Sequence, residues 1–391
     1  MPCARFASAL STATDLRVAA NTAVKQVKAS LGSPASLATL FLTPHYRGDL
    51  REIANLICDQ LQTDNLIGCV AESVAGVNQE VEDNPGLSLW AVAAPNQEIA
   101  LAHLRFERTP DGPLFTGWPE QYELDWPDQV SLLAIGDPYS FPADHLLEQI
   151  NENHPQVVVA GGMASGATSP GESRIFCGRQ IVSEGAVLAF LNGPMKMSTL
   201  VSQGCRPIGN PMVVTQAEKN VIFELGGKPA LIQLKELFAT LPTSEQALVQ
   251  KGVHVGIVVS EYKEKFGYGD FLIRNVTGFD QNVGAIAIGD WVRVGQTVQF
   301  HIRDRDTADD DLHQMLRKVK TDAQPPDSAL LFTCNGRGTR LFSEPHHDAT
   351  SIGVSLGNIP LAGFFAAGEI GPVAGKNFMH GFTASVALFY G

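Results

Sequence analysis

The sequence lacks an excess of positive charge and lacks long apolar runs. Lysine and arginine total 28 against 41 aspartate and glutamate residues, so the formal net charge is −13. Nucleic-acid binding over a broad surface is not expected, because phosphate contacts depend on clustered basic side chains. No apolar run approaches the roughly 18 residues that a membrane-spanning helix requires, so no membrane segment is predicted.

Cysteine is scarce as well, and motifs for metals and cofactors are missing. The six cysteines lie far apart and include no CxxC pair, which argues against structural zinc and against a disulfide framework. The N-terminus lacks the basic head and the apolar core of a signal peptide. We therefore expect a cytoplasmic protein without a cofactor, and 391 residues suffice for two or three domains.

Several short motifs begin to match known sites and then fail. A calcium loop starting at Asp304 needs glycine and glutamate where the chain has Asp309 and Met315. The nucleophile-elbow pattern around Ser355 is preceded by a helix-like segment and followed by a strand, the reverse of the required order. The segment GPVAGKN is one residue too short for a phosphate loop, and GGMASG lacks the spacing of dinucleotide-binding glycines.

A loose threefold repeat is the main structural signal that is present. Each unit is predicted to form a strand, a helix, a strand, a loop of small residues and a strand, over residues 36–94, 130–193 and 328–391. The strands are short continuous apolar runs, which are typical of sheets covered on both faces. Two strands joined by a helix should be parallel, and the last strand of each unit can return antiparallel.

The remaining segments complete a predicted α/β fold. The repeated strand-helix-strand-strand units should form mixed sheets, with an inserted, mainly antiparallel α+β region at residues 204–325. A leading helix is predicted to begin after Thr14 and to end at Gly32, and Asp144 is the predicted N-cap of the second repeat's helix. We divide the chain into an N-terminal module, 1–203, and a C-terminal module, 204–391.

The loops after the second strand of each unit are the candidate ligand site. They read ESVAG, MASGATSPG and GEIGPVAGKN, and CNGRG ends the first strand of the third unit. Such loops at the carboxyl ends of strands commonly line a ligand crevice. Arg337 offers a planar fork for a carboxylate, and Glu369 can accept from an amine. An alternative is a buried Arg337–Glu369 ion pair that ties the loops together.

These motifs resemble the FIST family. LIGCVAESVAG, CNGRG and PLAGFFAAGEIGPVAGKNFMHGFTASVALF are similar to its N- and C-terminal modules, over residues 30–390. The resemblance implies a ligand-sensing domain proposed to bind small molecules such as amino acids. In bacteria such domains often accompany kinase, chemoreceptor or cyclic-dinucleotide output domains, and in eukaryotes an F-box. We expect a stand-alone version that signals through a separate protein.

Three hypotheses follow for the function. The first is a binding module for a small polar metabolite, with these predicted ligand-binding residues: Arg337, Glu369, Asn335, Cys334, Cys69, Ser73, Asn377 and His380. The second is a cysteine-dependent enzyme, with Cys334 or Cys205 as nucleophile and His380 or His254 as base. The third is a protein-interaction scaffold that needs no ligand.

Overall fold

A computed structural model describes residues 4–46, 48–110, 112–123, 126–127, 129–263, 265–267, 269–321 and 324–391. The α-helices of these residues are α1 (Leu16–Leu31), α2 (Leu50–Leu61), α3 (Ala143–Asn153), α4 (Ala230–Thr240), α5 (Thr243–Lys251), α6 (Arg305–Thr321) and α7 (His347–Leu356). Short 3-10 helices span Glu120–Tyr122 and Gly338–Arg340. Among the described helices, none combines the length and the apolar character that crossing a membrane requires.

The strands are numbered in chain order. They are β1 (Arg5–Ser11), β2 (Leu37–Leu42), β3 (Leu66–Val70), β4 (Val74–Gly76), β5 (Gln79–Val81), β6 (Leu87–Ala93), β7 (Glu98–Thr109), β8 (Gly112–Thr116), β9 (Ser131–Gly136), β10 (Val158–Met163), β11 (Ile175–Cys177), β12 (Gln180–Val182), β13 (Ala186–Asn192), β14 (Lys196–Gln203), β15 (Cys205–Glu218), β16 (Val221–Leu225), β17 (Lys228–Pro229), β18 (Val253–Val258), β19 (Phe271–Asp280), β20 (Ala285–Ile288), β21 (Thr297–Arg303), β22 (Ser328–Cys334), β23 (Leu361–Ala366), β24 (Glu369–Val373), β25 (Lys376–His380) and β26 (Thr383–Tyr390). The predicted α/β class is confirmed.

Three of the four sheets follow one plan. In each, a parallel pair is joined by a helix (β2 with β3, β9 with β10, β22 with β23), and the last strand of the repeat pairs antiparallel with the first. The full orders are β1-β6-β2-β3-β11-β12, β8-β7-β13-β9-β10-β24-β25 and β14-β26-β22-β23-β4-β5. We call them sheets 1, 2 and 3 after the repeat that supplies the central strands.

Each repeat also contains a two-stranded hairpin, which pairs with a strand in another repeat's sheet. Hairpin β4–β5 of repeat 1 pairs with β23 in sheet 3. Hairpin β11–β12 of repeat 2 pairs with β3 in sheet 1, and β24 of repeat 3 pairs with β10 in sheet 2. The exchange is cyclic and closes after three steps. The first and third small-residue loops expected from the sequence are therefore shorter, because parts of ESVAG and GEIGPVAGKN form hairpin strands, whereas the second hairpin begins after MASGATSPG.

The inner faces of sheets 1, 2 and 3 share one apolar core. Phe41 and Trp90 come from sheet 1, Leu133 from sheet 2, and Phe332 and Phe364 from sheet 3. The ring centroids of Phe41 and Phe364 are 4.9 Å apart. Because aromatic side chains bury large apolar areas, this shared core is a major source of stability. It also fixes the carboxyl ends of the parallel strands relative to one another.

Helix ends differ in detail from the sequence prediction. Asp15, not Thr14, caps α1, since its side chain accepts from the backbone N–H of Val18 at 2.9 Å. Gly32 ends α1 in a left-handed conformation, as predicted. Asp144 lies in the first turn of α3, and Pro142 occupies the cap position without a side-chain hydrogen bond.

The fourth sheet lies in the inserted region, and it is mainly antiparallel as predicted. Its order is β15-β21-β18-β19-β20-β16-β17, and all its described pairings are antiparallel. Helices α4 and α5 accompany it, and Ala230, Leu231 and Leu234 of α4 join its core.

The chain divides into two compact units. Unit 1 takes in the described residues up to Val201 together with Leu312–Met379 and Thr383–Gly391, and unit 2 takes in Ser202–Asp311 and His380–Phe382. Contacts thus group the third repeat with the first two. The predicted modules 1–203 and 204–391 follow the order of the chain, and that boundary stays a prediction.

Candidate functional site

The structure brings the three small-residue loops of unit 1 together, and Ser165 connects them. Its hydroxyl accepts from the backbone N–H of Glu72 in repeat 1 at 2.9 Å and donates to the backbone carbonyl of Phe365 in repeat 3. The Phe365 N–H donates to the Ser73 carbonyl at 3.0 Å. The Ala367 N–H donates to the backbone carbonyl of Met163, the first residue of the second loop, at 2.9 Å. One serine thus ties three separate parts of the chain.

Arg337 is fully buried beside this junction, and its partner is Asp348. Nε donates to Asp348 Oδ2 at 2.8 Å and Nη2 to Oδ1 at 2.7 Å, which is the bidentate geometry of a strong ion pair. The same carboxylate also accepts from Thr333 Oγ1 at 2.6 Å. The alternative of an Arg337–Glu369 ion pair is therefore wrong. The sequence could not place Asp348, because it comes from the first turn of α7.

Glu369 is fully buried as well, at the start of β24. Its Oε2 accepts from the backbone N–H of Thr383 at 3.0 Å and from the Thr383 hydroxyl at 2.8 Å. Burial raises the pKa of Glu369 to about 8, although the Thr383 hydrogen bonds, the charge of Arg337 and the Cys334 thiol act in the opposite direction. This side chain is therefore mainly protonated at neutral pH.

A second buried carboxyl group, Glu80, comes from the hairpin of repeat 1 and was missed by sequence reasoning. Its Oε1 accepts from the Ala349 N–H at 2.9 Å, and its own backbone N–H donates to His346 Nδ1 at 3.0 Å. Burial, followed by the negative charge of Asp348, raises the pKa of Glu80 to about 8. The hairpin exchange between repeats brings Glu80 here, so no local pattern could have revealed it.

Three polar atoms at this place have no hydrogen-bond partner among the described residues: Arg337 Nη1, Glu369 Oε1 and Glu80 Oε2. The charge of Arg337 acts on both carboxyl groups, so the three side chains are electrostatic neighbours. Buried polar groups are nearly always hydrogen-bonded in proteins. An unpaired guanidinium N–H and carboxyl oxygens of raised pKa are features that recur at functional sites.

Of the other predicted residues, four lie on the strands and loops around this cluster. Cys334 ends β22 and is 8% exposed, and Asn335 follows it, with its carbonyl accepting from Arg340 Nη1 at 2.7 Å. Ser73 is buried and accepts from Phe365 through its carbonyl. Cys69 is fully buried in the shared core, and burial raises the pKa of its thiol well above the usual value.

Asn377 lies away from this cluster. The Asn377 amide accepts from the Val159 N–H at 2.9 Å and donates to the Val157 carbonyl at 2.8 Å. These residues begin β10, whereas Glu369 pairs with Gly162 near the end of that strand. Asn377 is therefore held at the opposite end of β10, and His380 belongs to unit 2.

In unit 2, Cys205 and His254 are poorly suited to be the nucleophile and the base of a cysteine-dependent enzyme. Cys205 is 1% exposed and lies in a small cluster with Val258, Phe271 and Ile273. Burial, aided by the charge of Arg303, lowers the pKa of His254 to about 4. A histidine with so low a pKa is a poor general base at neutral pH. Among the described residues, no group of three or more His, Cys, Asp or Glu side chains could hold a metal ion.

Two cavities are lined by described residues of unit 1, and neither Arg337 nor Glu369 lines them. The larger, of about 350 Å³, lies between an aromatic segment preceding β9 and the end of α3. The smaller holds only about 10 Å³ and lies under α3 among apolar side chains such as Phe141, Met163 and Ile370. Because both side chains are fully buried, a ligand at the Arg337 cluster would have to displace the residues around them in order to enter.

The chain matches known proteins over nearly its whole length. The family model of the FIST N domain matches residues 36–228, and that of the FIST C domain matches residues 230–372. An uncharacterized protein of Mycobacterium tuberculosis is 44% identical over 388 residues, covering 98% of this chain and 99% of the relative. An uncharacterized protein of Mycobacterium bovis is 41% identical over 389 residues, covering 98% of each.

Proposed function

Because the chain belongs to the FIST family and carries both its N and C domains, we propose that it is a cytoplasmic sensor that binds an amino acid or a similar small polar metabolite. FIST domains are sensor domains of signalling proteins. We place the ligand where the three loops of unit 1 meet. The signal would pass to a separate protein.

One observation carries this proposal: two fully buried side chains of opposite polarity each keep an unpaired atom. Among the described residues, Arg337 Nη1 is a free donor, and Glu369 Oε1 has no hydrogen-bond partner and can accept once the carboxyl group has lost its proton. An α-amino acid offers a carboxylate to the first and an ammonium group to the second. Because Nε and Nη2 remain on Asp348, ligand binding need not break the buried ion pair.

The raised pKa of Glu369 gives the proposed binding a specific signature. The carboxyl group is mainly protonated at neutral pH, but an ammonium group favours its charged form. Amino-acid binding at pH 7 should therefore release up to one proton per ligand. Calorimetric titration in two buffers that differ in ionisation enthalpy measures that number.

The Glu369→Gln variant tests the assignment, following a thermal-shift screen of the free amino acids on the intact protein. A ligand at about 100 times its dissociation constant should stabilise the wild type by roughly 2.7 kcal/mol. Glutamine retains an oxygen for Thr383 but cannot become a carboxylate, so we expect the variant to lose that stabilisation and the proton release. Glu344→Gln, at an exposed position, is the matched control. Equal ligand-induced stabilisation in Glu369→Gln would remove this residue from the site.

A further inference from the structure

Repeat 2 differs from the other two repeats on the outer face of its sheet. Helices α1 and α2 cover sheet 1 and contribute to one apolar core with it. On sheet 3, Leu312 and Leu316 of α6 pack with Ile352 of α7 in the same manner. Among the described residues, α3 is the one α-helix that joins the outer core of sheet 2, and Tyr122, from the aromatic segment before β9, also packs there.

The larger cavity lies at this departure from the repeat pattern. It has a volume of about 350 Å³, within the range of small-molecule sites, which begins at roughly 300 Å³. Trp118, Tyr122 and Trp126 line it from the segment, and Asn153 and His154 line it from the end of α3. Repeat 2 thus has a recess that is lined by three aromatic side chains and His154 together with polar side chains.

The aromatic walls of the recess are held in place. The indole N–H of Trp118 donates to the Phe115 carbonyl at 2.9 Å, and that of Trp126 to the Tyr122 carbonyl at 2.8 Å. The Tyr122 ring stacks on Phe190 with centroids 4.2 Å apart. Both indole donors are therefore already used, and what the tryptophans offer a cationic ligand is the electron-rich face of the ring.

The fourth aromatic wall is His154, which stacks on Trp126 at a centroid distance of 4.1 Å and an interplanar angle of 13°. Burial lowers the pKa of His154, so the imidazole is mainly neutral at pH 7. The recess therefore has no cationic side chain among its described lining residues, and it has one carboxylate, Glu123.

The surrounding sequence is acidic without interruption. Residues 109–173 contain ten aspartate or glutamate residues and no lysine or arginine. Such a one-sided charge distribution attracts cations toward this part of the chain, and the effect weakens as salt is added. The recess thus combines aromatic rings with one carboxylate in an acidic stretch of the sequence, and aromatic rings with nearby negative charge recognise alkylated ammonium groups.

We propose that this aromatic recess is a second small-molecule site, which binds an organic cation carrying a quaternary or otherwise alkylated ammonium group. The ammonium group would lie against the faces of Trp118, Tyr122 and Trp126, and Glu123 at the rim would add a carboxylate. The site is separate from the Arg337 cluster, and its ligand is a cation rather than a zwitterionic amino acid. It does not depend on the amino-acid site for its function.

Choline and its uncharged isostere 3,3-dimethylbutan-1-ol are the probes for this site, used with the full-length chain in titration calorimetry and tryptophan fluorescence. A cation–π contact strengthens binding by about 2- to 30-fold, so we expect choline to bind at least about twofold more tightly than the isostere. Added salt should weaken choline binding and leave the isostere unaffected. Equal affinities of the two probes, or no binding of choline, would overturn the proposal.

Matched variants locate the binding. Trp118→Leu should weaken choline binding at least about twofold, and Glu123→Gln should weaken it less. Glu152→Gln removes an exposed carboxylate from the same helix end without touching the recess and should have no effect. If Trp118→Leu does not fold, Trp118→Phe serves, since phenylalanine binds cations more weakly than tryptophan. Unchanged choline affinity in the Trp118 variant contradicts the assignment, and unchanged choline affinity in Glu369→Gln separates this site from the amino-acid site.

Discussion

At the scale of single residues, the Arg337 cluster shows how position decides the charge of a carboxyl group. Burial alone would raise the pKa of Asp348, but the charge and hydrogen bonds of Arg337, with His347, hold it well below its usual range. Glu369 and Glu80 are also buried, yet neither forms an ion pair with the guanidinium, and the pKa of each rises to about 8. One arginine therefore leaves one carboxyl group charged and two mainly neutral.

These two raised pKa values predict how stability depends on pH. A carboxyl group whose pKa rises from 4.5 in the unfolded chain to about 8 in the folded protein binds more protons when folded, throughout that interval. The free energy of unfolding should therefore fall as pH rises from about 5 to 8, by at most about 1.4 kcal/mol per pH unit for each group. Urea denaturation at unit steps of pH measures this slope.

The contribution of Glu369 to that slope can be separated from the rest. Glu369→Gln removes the titration and keeps the oxygen that Thr383 needs, so the variant should lose stability less steeply with pH than the wild type. Glu344→Gln, on the surface, should follow the wild-type curve. A Glu369→Gln protein with the full wild-type slope would mean that this carboxyl group titrates normally in the folded state.

At the scale of elements, a glycine fixes the close approach of the parallel strands in each repeat. A Cβ at Gly68 would lie 1.8 Å from the Leu40 carbonyl oxygen, and one at Gly161 would lie 1.8 Å from that of Ala134. Both have positive φ, of +155° and +150°. Only glycine can occupy such a position without moving the neighbouring strand.

Alanine at Gly68 or Gly161 should therefore destabilise unit 1 severely. Backbone strain and overpacking each contribute about 1–3 kcal/mol, so the loss should exceed about 2 kcal/mol. Gly171→Ala is the control, because φ is +80° there but a Cβ would meet no atom within 4 Å, and its cost should be about 1–2 kcal/mol. Denaturation midpoints compare the three variants, and equal losses would show that strand contact is not the cause.

The sequence predicted the elements that depend on local pattern and missed those that depend on pairing between repeats. The central strands and helices followed from apolar periodicity, since buried runs and amphipathic spacing are local signals. The sequence did not predict the hairpins. Strands as short as Val74–Gly76 give little local signal, and they pair with a strand of another repeat. Prediction of the site has the same limit. Arg337 and Glu369 were identified by residue type, whereas Asp348 lies on a helix and Glu80 on a hairpin that pairs with another repeat, so local sequence did not place them.

At the scale of the molecule, the hairpin exchange makes the core of one repeat depend on side chains of another. Phe176 belongs to repeat 2 by sequence, yet it is fully buried in the core between sheet 1 and its helices, with Ile57 and Leu61 of repeat 1. Its backbone pairs with Gly68 of β3. The stability of repeat 1 therefore depends on a residue more than a hundred positions away.

Phe176→Ala should reveal this dependence in hydrogen exchange. The substitution should cost about 3–5 kcal/mol, and amide protection should fall in α2 and β3 of repeat 1 at least as much as in α3 and β9 of repeat 2. Leu146→Ala, in the outer core of sheet 2, is the counterpart and should affect repeat 2 most. A loss confined to repeat 2 in the Phe176→Ala protein would contradict the exchange.

The cyclic hairpin exchange also bears on ancestry. A peptide of one repeat on its own would have a hairpin with no sheet to join and a sheet edge with no hairpin beside it. Three identical copies around a common axis would meet both needs, each lending its hairpin to the next. A gene that encoded such a trimer, duplicated twice in tandem, would yield a chain with this topology, and later divergence would leave one copy free to exchange a helix for an aromatic recess.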